Sequence, residues 1–349
     1  MKRIIDVNLN RATEALRVLE EIARFALDNE ELTSELKLLR HQLSNAYISE
    51  YDKLLKSRNT EEDVGREVFN PSGRFSIIDI HKANFKRLQQ ALRTLSEYSL
   101  AENIDVTVLE KTRYESYTLE KKMFEELTRK YKKSCLEDKR LYLVTDRSKF
   151  TDNNAFLDAV AASLKGGTQV VQLREKTATA KEFAELARQV RELCAVYEAI
   201  FIINDRVDIA LAVGADGVHL GQEDLDINSA RKILGNDSII GLSTHCPEQA
   251  LTAVESGADY IGVGPVYTTP TKPGRPSVGL EYVEWTAKNI NIPWFAIGGI
   301  NLDNTEEVIT AGAPGIAAVR AIINSENPEE ASGMFLKKFN PKNSIPFKD

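Results

Sequence analysis

Short apolar, β-branched runs alternate with amphipathic, alanine-rich segments through the second half of the chain. Each run is followed by a polar cluster, and segments such as 183–196 and 283–290 carry apolar residues at helical spacing. This alternation predicts βα units and a parallel sheet. Eight units in about 200 residues fit a closed (β/α)₈ TIM barrel better than an open doubly wound sheet. The predicted strands are 141–145, 169–174, 200–203, 217–220, 239–242, 260–263, 294–297 and 315–319.

Residues 1–137 have a different pattern, with few glycines and apolar positions at helical spacing through 12–26, 32–47, 85–100 and 107–131. They predict an all-α domain in front of a barrel at 138–349, so the fold class is α/β. A repeat within the helical part indicates a pseudo-symmetric bundle. Its polar start at Asn8 and Arg11 is either a helix cap with a snorkelling arginine or a small polar pocket. The repeated residues are Asn8, Arg11, Ala15, Leu16, Arg17, Leu19 and Glu21, which recur as Asn84, Arg87, Ala91, Leu92, Arg93, Leu95 and Glu97.

Polar residues follow the predicted strands, whose carboxyl ends form the mouth of a barrel and hold its functional groups. After the second strand, period-two alternation points Gln172 and Arg174 to one side, and Lys176 joins them if the alternation continues. Asp205 and Asp224 follow the third and fourth strands. These two carboxylates could share one Mg²⁺ ion, which takes its remaining ligands from water and substrate phosphates.

The loop after the sixth strand carries Thr269, Thr271 and Lys272, and such hydroxyls and charge suit a phosphate. Gly298 and Gly299 follow the seventh strand and let backbone amides approach a phosphate closely. Taken singly, such residues could be ordinary: Asp205 a helix cap, Ser243 a turn residue, and the glycine pair a tight turn. One ligand system with two phosphate groups and a metal accounts for all of them together.

These strand ends resemble the thiamine phosphate synthase family over about residues 138–325. The resemblance implies condensation of hydroxymethylpyrimidine diphosphate with a thiazole phosphate or its carboxylate, giving thiamine phosphate and pyrophosphate, with Mg²⁺ as cofactor. Some relatives carry serine where this chain has Arg320, so the share of the last strand in phosphate binding is an open question. The motifs are Gln172 to Lys176, Asn204 with Asp205, Gly221 to Asp224, Ser243 to His245, Gly264 with Pro265, Thr269 to Lys272, and Ile297 to Ile300.

The resemblance also implies residue roles. Asp205 and Asp224 would ligate magnesium, and pyrophosphate would leave before the thiazole nitrogen attacks, so no protein nucleophile is required. His219 and His245 are expected to be local hydrogen-bond partners, with proton transfer as the alternative. The catalytic residues would be Arg174, Lys176, Ser243 and Lys272, and the substrate-binding residues Gln172, Leu173, Arg174, Glu175, Lys176, Asn204, Ser243, Thr269, Pro270, Thr271, Lys272 and Gly299.

The helical part resembles an amino-terminal extension fused to some thiamine phosphate synthases, on motifs at 8–20 and 58–65. The association suggests that it handles a pyrimidine phosphate precursor, while a structural or oligomerising domain is the alternative. Rivals for the barrel are a thiazole tautomerase and a non-catalytic sensor of phosphate ligands. Arg174, Lys176, Asp205, Asp224 and Lys272 together argue against the tautomerase.

Composition and charge narrow the possible binding partners and cellular locations of the protein. A net charge of −7 argues against a nucleic-acid partner, and the basic cluster at 129–133 is interpreted as complementing the end of a helix dipole. No apolar run is long enough for a bilayer, and residues 1–3 lead into a polar helix rather than a signal peptide. Three cysteines without metal or disulfide spacing fit a reducing compartment. A cytoplasmic enzyme of small phosphorylated substrates is expected, with a homo-oligomer as one possible assembly.

Overall fold

The computed structural model describes residues 1–59, 76–269 and 276–339. Its contacts divide the chain into two compact units, Met1–Lys130 and Tyr131–Asp349. The division falls inside one long helix, α5, which runs from Thr107 to Glu137. None of the described helices combines the length and apolar character needed to cross a membrane.

The first unit is helical, as the sequence predicts. Two helix starts are capped by side chains: Asn29 accepts a hydrogen bond from the Leu32 amide at 3.0 Å, and Ser76 from the Asp79 amide at 3.1 Å. A short π-helical turn, Ile22–Ala26, follows the first helix. The helices of this unit are α1 Lys2–Glu21, α2 Glu30–Ala46, α3 Tyr51–Lys56, α4 Ile77–Ala101 and α5 from Thr107.

The two repeat copies lie on α1 and α4, which pack against each other. Asn8 and Asn84 are both buried, and each donates from its side-chain amide to the carbonyl four residues earlier, at 2.8 Å. Interpreting Asn8 as a cap was wrong, because α1 begins at Lys2 and apolar residues precede Asn8 on the same helix. At these two positions the asparagines satisfy their amides within their own helices.

His81 is buried in this unit, with its ring centroid 4.9 Å from that of Phe85, and burial lowers the pKa of the imidazole to about 4. The unfolded chain therefore binds more protons than the folded chain between the ordinary pKa of 6.5 and about 4. Stability is full above that window and falls as the pH drops through it, by roughly 2 kcal/mol between pH 7 and pH 5. We expect His81→Leu to remove this loss, measured as thermal midpoints at pH 7 and pH 5. An unchanged pH dependence in this variant would show that His81 is not its source.

The second unit is a closed barrel of eight parallel strands in the order β1 to β8, so the predicted TIM barrel is confirmed. The strands are β1 Leu141–Val144, β2 Val170–Leu173, β3 Ile200–Asn204, β4 Gly217–Leu220, β5 Ile239–Thr244, β6 Tyr260–Val263, β7 Trp294–Ile297 and β8 Ile316–Ala318. The helices that follow are α6 Asn153–Lys165, α7 Ala180–Val196, α8 Val207–Val213, α9 Ile227–Leu234, α10 Pro247–Glu255, α11 Gly279–Asn289, α12 Thr305–Thr310, α13 Arg320–Ile323 and α14 Pro328–Phe339.

Side chains alternate between the barrel interior and the layer between strands and helices. On β2, Val170 belongs to the interior cluster with Tyr142 and Phe295, whereas Val171 and Leu173 belong to the larger outer core. Because every strand is covered on both faces, its sequence is a continuous apolar run rather than an alternating one. The same alternation directs the side chain of Gln172 inward, where it donates to the Tyr142 hydroxyl at 2.7 Å.

A buried ion cluster lies on the second unit near the amino ends of β5 and β6. Lys132 of α5 contacts Asp259 at 3.0 Å, with both side chains 7% exposed, and Arg231 contacts the same carboxylate at 2.6 Å. Leu136, one turn further along α5, packs in the interior cluster of the barrel. The interpretation of the 129–133 cluster as dipole-complementing cations was wrong, because the last turn of α5 contains no basic residue.

Candidate functional site

The mouth of the barrel contains two adjoining cavities. One of about 70 Å³ lies in the barrel interior and is lined by residues from all eight strands, and one of about 410 Å³ lies over the later strands. Ser243, inside β5 rather than in a turn, lines both. The smaller cavity is lined by Tyr142, Val144, Gln172, Arg174, Asn204, His219, Ser243, Tyr260, Gly262, Phe295, Ile297, Ala317 and Val319.

The side chains of the motif Gln172 to Lys176 have different environments, and only some of them line the smaller cavity. Gln172 and Arg174 line the smaller cavity, and the Arg174 amide donates to the Thr145 hydroxyl at 3.0 Å. Leu173 is buried in the outer core, so only its backbone is directed to the mouth. Glu175 pairs with Arg147 at 3.2 Å and accepts the Lys176 amide at 2.9 Å, which orders the loop. Lys176 is exposed at the same end of the barrel.

Asp205 and Asp224 come together at the mouth, as the strand ends predict. The pKa of Asp205 is raised to about 6, by burial first and then by a hydrogen bond with Asp224 and the charge of that carboxylate. Asp205 is no helix cap, because α8 is capped at Arg206 without a side-chain bond. Asp224 accepts the Gly221 amide at 2.6 Å. Within the described ranges no group of three or more His, Cys, Asp or Glu residues could hold a metal.

A buried carboxyl group whose pKa is raised beside a second carboxylate is suited to a divalent cation, which replaces its proton. A pair of carboxylates with room for water and phosphate oxygens is the donor set that Mg²⁺ accepts, because this ion keeps several waters and needs few protein ligands. The two carboxylates therefore form a donor set that fits magnesium.

The larger cavity is formed by the ends of β6, β7 and β8. Thr269, Gly298 and Gly299 line it, while Pro270, Thr271 and Lys272 of the predicted phosphate loop lie outside the described residues. Both glycines have positive φ values, +103° and +67°. A Cβ on Gly299 would lie 2.7 Å from the Cβ of Tyr267, so the backbone approaches its neighbours as closely as glycine alone allows.

Arg320 also lines the larger cavity. Its Nε lies 3.4 Å from the Asp146 carboxylate. Burial alone would raise the pKa of Asp146, but hydrogen bonds from Ser148 and Arg320 bring it below its usual value. The guanidinium is therefore held at the rim of the cavity by a carboxylate from the loop after β1.

The sequence interpretation missed two tyrosines that join the site residues to one another. The Tyr142 and Tyr260 hydroxyls lie 2.8 Å apart in the barrel interior, and the Tyr260 hydroxyl lies 2.9 Å from Nδ1 of His219. Nε2 of His219 lies 2.9 Å from the Ser243 hydroxyl. Tyr142 and Tyr260 occupy inward positions of β1 and β6, so strand alternation was the signal that could have identified them. His245 contacts the Gly264 carbonyl through Nδ1, as expected of a local hydrogen-bond partner.

Fold and site together define an enzyme class: a TIM barrel whose mouth combines paired carboxylates, cations and a glycine-lined cavity for phosphorylated ligands. Comparison with known proteins specifies it further. Residues 141–322 match the thiamine monophosphate synthase family, and residues 3–122 match the ThiD2 family. The thiamine-phosphate synthase of Nostoc punctiforme is 46% identical over 341 residues, covering 97% of this chain and 94% of that protein. The Synechocystis thiamine-phosphate synthase is 45% identical over 337 residues, covering 96% and 95%.

Among solved structures, thiamine phosphate pyrophosphorylase from Pyrococcus furiosus is 38% identical with a TM-score of 0.54, and the match covers 60% of this chain and 98% of that one. The chain belongs to the thiamine monophosphate synthase family. The predictions of a thiamine phosphate synthase and of a transferase acting in thiamine biosynthesis are thereby confirmed. The family also implies small-molecule substrates.

Proposed function

We propose that the barrel joins hydroxymethylpyrimidine diphosphate to a thiazole phosphate, with or without a carboxylate, and releases pyrophosphate and thiamine phosphate. The observation that carries this proposal is the pair of adjoining cavities. Ser243 and Gly262 line both, so ligands bound in the two would meet there. Arg174 lines one cavity and the glycine turn lines the other, which matches a diphosphate on one side and a monophosphate on the other.

The pyrimidine diphosphate is assigned to the smaller cavity and its rim. Gln172, Arg174 and Ser243 line this cavity, and Lys176 is close enough to Asp205 for its charge to lower the carboxyl pKa. Burial remains the larger influence on that group. The residues proposed to hold this substrate are Gln172, Arg174, Lys176, Asn204, Ser243 and Lys272, with backbone contacts from Leu173 and Glu175.

Magnesium bound by Asp205 and Asp224 would neutralise charge on the leaving pyrophosphate. Arg174, Lys176 and Lys272 share that task from the protein side, since cations fixed in a partly buried mouth stabilise charge that develops in the transition state. The departing diphosphate leaves a pyrimidinylmethyl cation, which the thiazole nitrogen captures. The residues orient both substrates and stabilise charge, and none needs to act as a nucleophile.

The thiazole phosphate is assigned to the larger cavity, against Thr269, Pro270, Thr271 and the Gly299 amide. We expect Gly299→Ala to raise the KM for the thiazole phosphate about tenfold and to leave the KM for the pyrimidine diphosphate nearly unchanged. Steady-state kinetics with each substrate varied in turn would measure both constants.

Gly235→Ala is the matched control, because Gly235 also has a positive φ, +81°, but nothing lies within 4 Å of its added Cβ. It places a Cβ on another positive-φ glycine, away from the mouth. If Gly299→Ala raised only the KM for the pyrimidine diphosphate, the pyrimidine diphosphate would belong in the larger cavity and the thiazole phosphate in the smaller one.

The proposed function is tested by pyrophosphate release from the full-length chain, with the pyrimidine diphosphate, the thiazole phosphate and Mg²⁺ each omitted in turn. Release that needs all three, with thiamine phosphate as product, supports the proposal. Binding of both substrates without release would instead indicate the sensor, and isomerisation of a thiazole phosphate without any pyrimidine would indicate the tautomerase.

For the first unit we propose the handling of a pyrimidine phosphate that precedes the barrel's substrate. Its support is the ThiD2 match at residues 3–122 and the near full-length alignment to curated thiamine-phosphate synthases. Titration of a pyrimidine monophosphate into wild-type protein and into Arg58→Met, which breaks the contacts of Arg58 with Asp6 at 2.7 and 2.9 Å, tests it. Absence of binding to wild-type protein would favour a structural or oligomerising unit.

Two further proposals concern the whole chain. A cytoplasmic location is supported by Cys135, Cys194 and Cys246, which are all free thiols. Assembly as a homo-oligomer stays a prediction, which light scattering of the purified chain would test.

A further inference from the structure

Five side chains form a continuous hydrogen-bonded chain across the barrel interior, from Gln172 on β2 to Ser243 on β5. Gln172 donates from Nε2 to the Tyr142 hydroxyl at 2.7 Å, and the next contacts, Tyr142 to Tyr260 and Tyr260 to Nδ1 of His219, are 2.8 and 2.9 Å. Nε2 of His219 reaches the Ser243 hydroxyl at 2.9 Å. The two ends are the residues assigned to the pyrimidine diphosphate, and the middle three connect them.

We assign the direction of the later bonds from the donor at the Gln172 end. Because the Tyr142 oxygen accepts from Gln172, its own hydrogen is directed to the Tyr260 oxygen. Tyr260 then donates to Nδ1 of His219, and an accepting Nδ1 leaves the proton of the neutral imidazole on Nε2. Nε2 donates to the Ser243 oxygen, so the hydroxyl hydrogen of Ser243 can be donated to an acceptor in the cavities that Ser243 lines.

We propose that Tyr142, Tyr260 and His219 are positioning residues that hold the Ser243 hydroxyl as a hydrogen-bond donor toward the diphosphate or the pyrimidine ring. The assignment of Ser243 to this substrate rests on the proposed function. The assigned direction does not rest on it, since the direction is argued from the hydrogen bond that Gln172 donates to Tyr142. Gln172 and Ser243 are thereby coupled: Gln172 presents its carbonyl oxygen to the ligand while Ser243 presents a donor.

Packing keeps the middle of the chain in place. The rings of Tyr142 and Tyr260 contact Phe295, with centroids 5.1 and 6.0 Å away. A Cβ on Gly241 would lie 2.1 Å from the Tyr260 ring, so that ring occupies the space that a side chain would take. Burial raises the pKa of both tyrosines, which keeps the hydroxyls protonated and able to donate.

The test uses the full-length protein and the tautomer of His219, read from ¹⁵N chemical shifts of its imidazole. The chain has four histidines, so His219→Asn identifies the signal by its loss. We expect free wild-type protein to carry the proton on Nε2. Tyr142→Phe should produce a mixture of tautomers, although Tyr142 is separated from His219 by Tyr260, and Tyr260→Phe should do the same. A wild-type tautomer protonated on Nδ1, or an unchanged tautomer in Tyr142→Phe, would overturn the proposal.

Kinetics add a second readout. Tyr142→Phe and Tyr260→Phe should each lower kcat/KM for the pyrimidine diphosphate about tenfold, and the double variant should lose little more, because either change interrupts the same chain. Two losses that multiply would indicate independent packing effects and overturn the coupling. The KM for the thiazole phosphate should change less than about twofold.

Tyr282→Phe is the matched control. Tyr282 is also a buried tyrosine, whose hydroxyl donates to the Thr244 hydroxyl at 2.8 Å, but it belongs to the outer core and not to this chain. It should lose comparable thermal stability while keeping the His219 tautomer and kcat/KM of wild type; an altered tautomer in this variant would count against the proposal. The tautomer of His219 is measured without turnover. If the protein did not release pyrophosphate, the proposed function would be rejected, but the tautomer result would still hold.

Discussion

Replacing Asp205 by asparagine is expected to lower magnesium-dependent turnover roughly a hundredfold while leaving the protein as stable as wild type or more so. Burial and the neighbouring Asp224 raise the pKa of Asp205 to about 6, so the folded chain disfavours the ionised form. For such a group the folded chain binds more protons than the unfolded chain between 3.8 and about 6, and stability falls as the pH rises through this window. At neutral pH, removing the charge should therefore add about 1 kcal/mol.

Asparagine is the suitable replacement because Asp205 has a φ of +62°, a left-handed conformation that asparagine tolerates and alanine does not. Pyrophosphate release across a magnesium titration and thermal midpoints are the two measurements. Asp208→Asn is the control, since Asp208 is near in sequence but exposed and paired with Arg206 at 2.6 Å. Turnover of Asp205→Asn within about threefold of wild type at every magnesium concentration would contradict the metal assignment.

Lys132→Met should destabilise the barrel by about 3 kcal/mol, because it leaves the Asp259 carboxylate buried with one fewer cation. Burial lowers the pKa of Lys132 and the charge of Asp259 opposes that effect, so the ammonium depends on its partner. In a unit of this size the loss corresponds to a thermal midpoint lower by roughly 6–12 °C. Activity well below the new midpoint should stay near that of wild type, since the cluster lies at the amino ends of the strands and the site at their carboxyl ends.

Lys133→Met is the control, because Lys133 is 44% exposed and pairs with Glu137 at 3.5 Å. Such a surface pair contributes at most about 0.5 kcal/mol. Denaturant unfolding of the two variants and wild type would measure the difference. If Lys132→Met unfolded like wild type, Arg231 alone would be sufficient to compensate Asp259.

The barrel was predictable because strands covered on both faces leave a strong pattern, eight apolar runs separated by helical segments. The same logic predicted that Gln172 and Arg174 share a side, and the structure places both on one cavity. Proximity of Asp205 and Asp224 followed from their positions at adjacent strand ends. In each case the two residues belong to the same strand or to adjacent strands and the loops that follow them, and in this barrel adjacent strands follow each other in the sequence.

Relations between distant strands were not predictable. Tyr142 and Tyr260 meet only because the barrel closes, and they are 118 positions apart. Lys132 was grouped with the other cations of 129–133 as complementing a helix dipole, because a sequence does not show that Asp259 lies across from it. Residues of one sequence motif can also have different environments. Leu173 and Glu175 alternate with Gln172 and Arg174 along β2 and its following loop. Leu173 therefore packs in the outer core, and Glu175 pairs with Arg147.

The position of Leu136 and Lys132 bears on how this barrel can be exchanged between proteins. The family match begins at residue 141, yet both residues precede it and already belong to the barrel's packing. A recombination event or an engineered fusion with its junction at the start of β1 would therefore transfer the whole site. It would leave behind Leu136 and Lys132, which pack against the barrel. A crossover before Tyr131 would carry the complete unit, so the last helical turns ahead of β1 are inherited with the barrel.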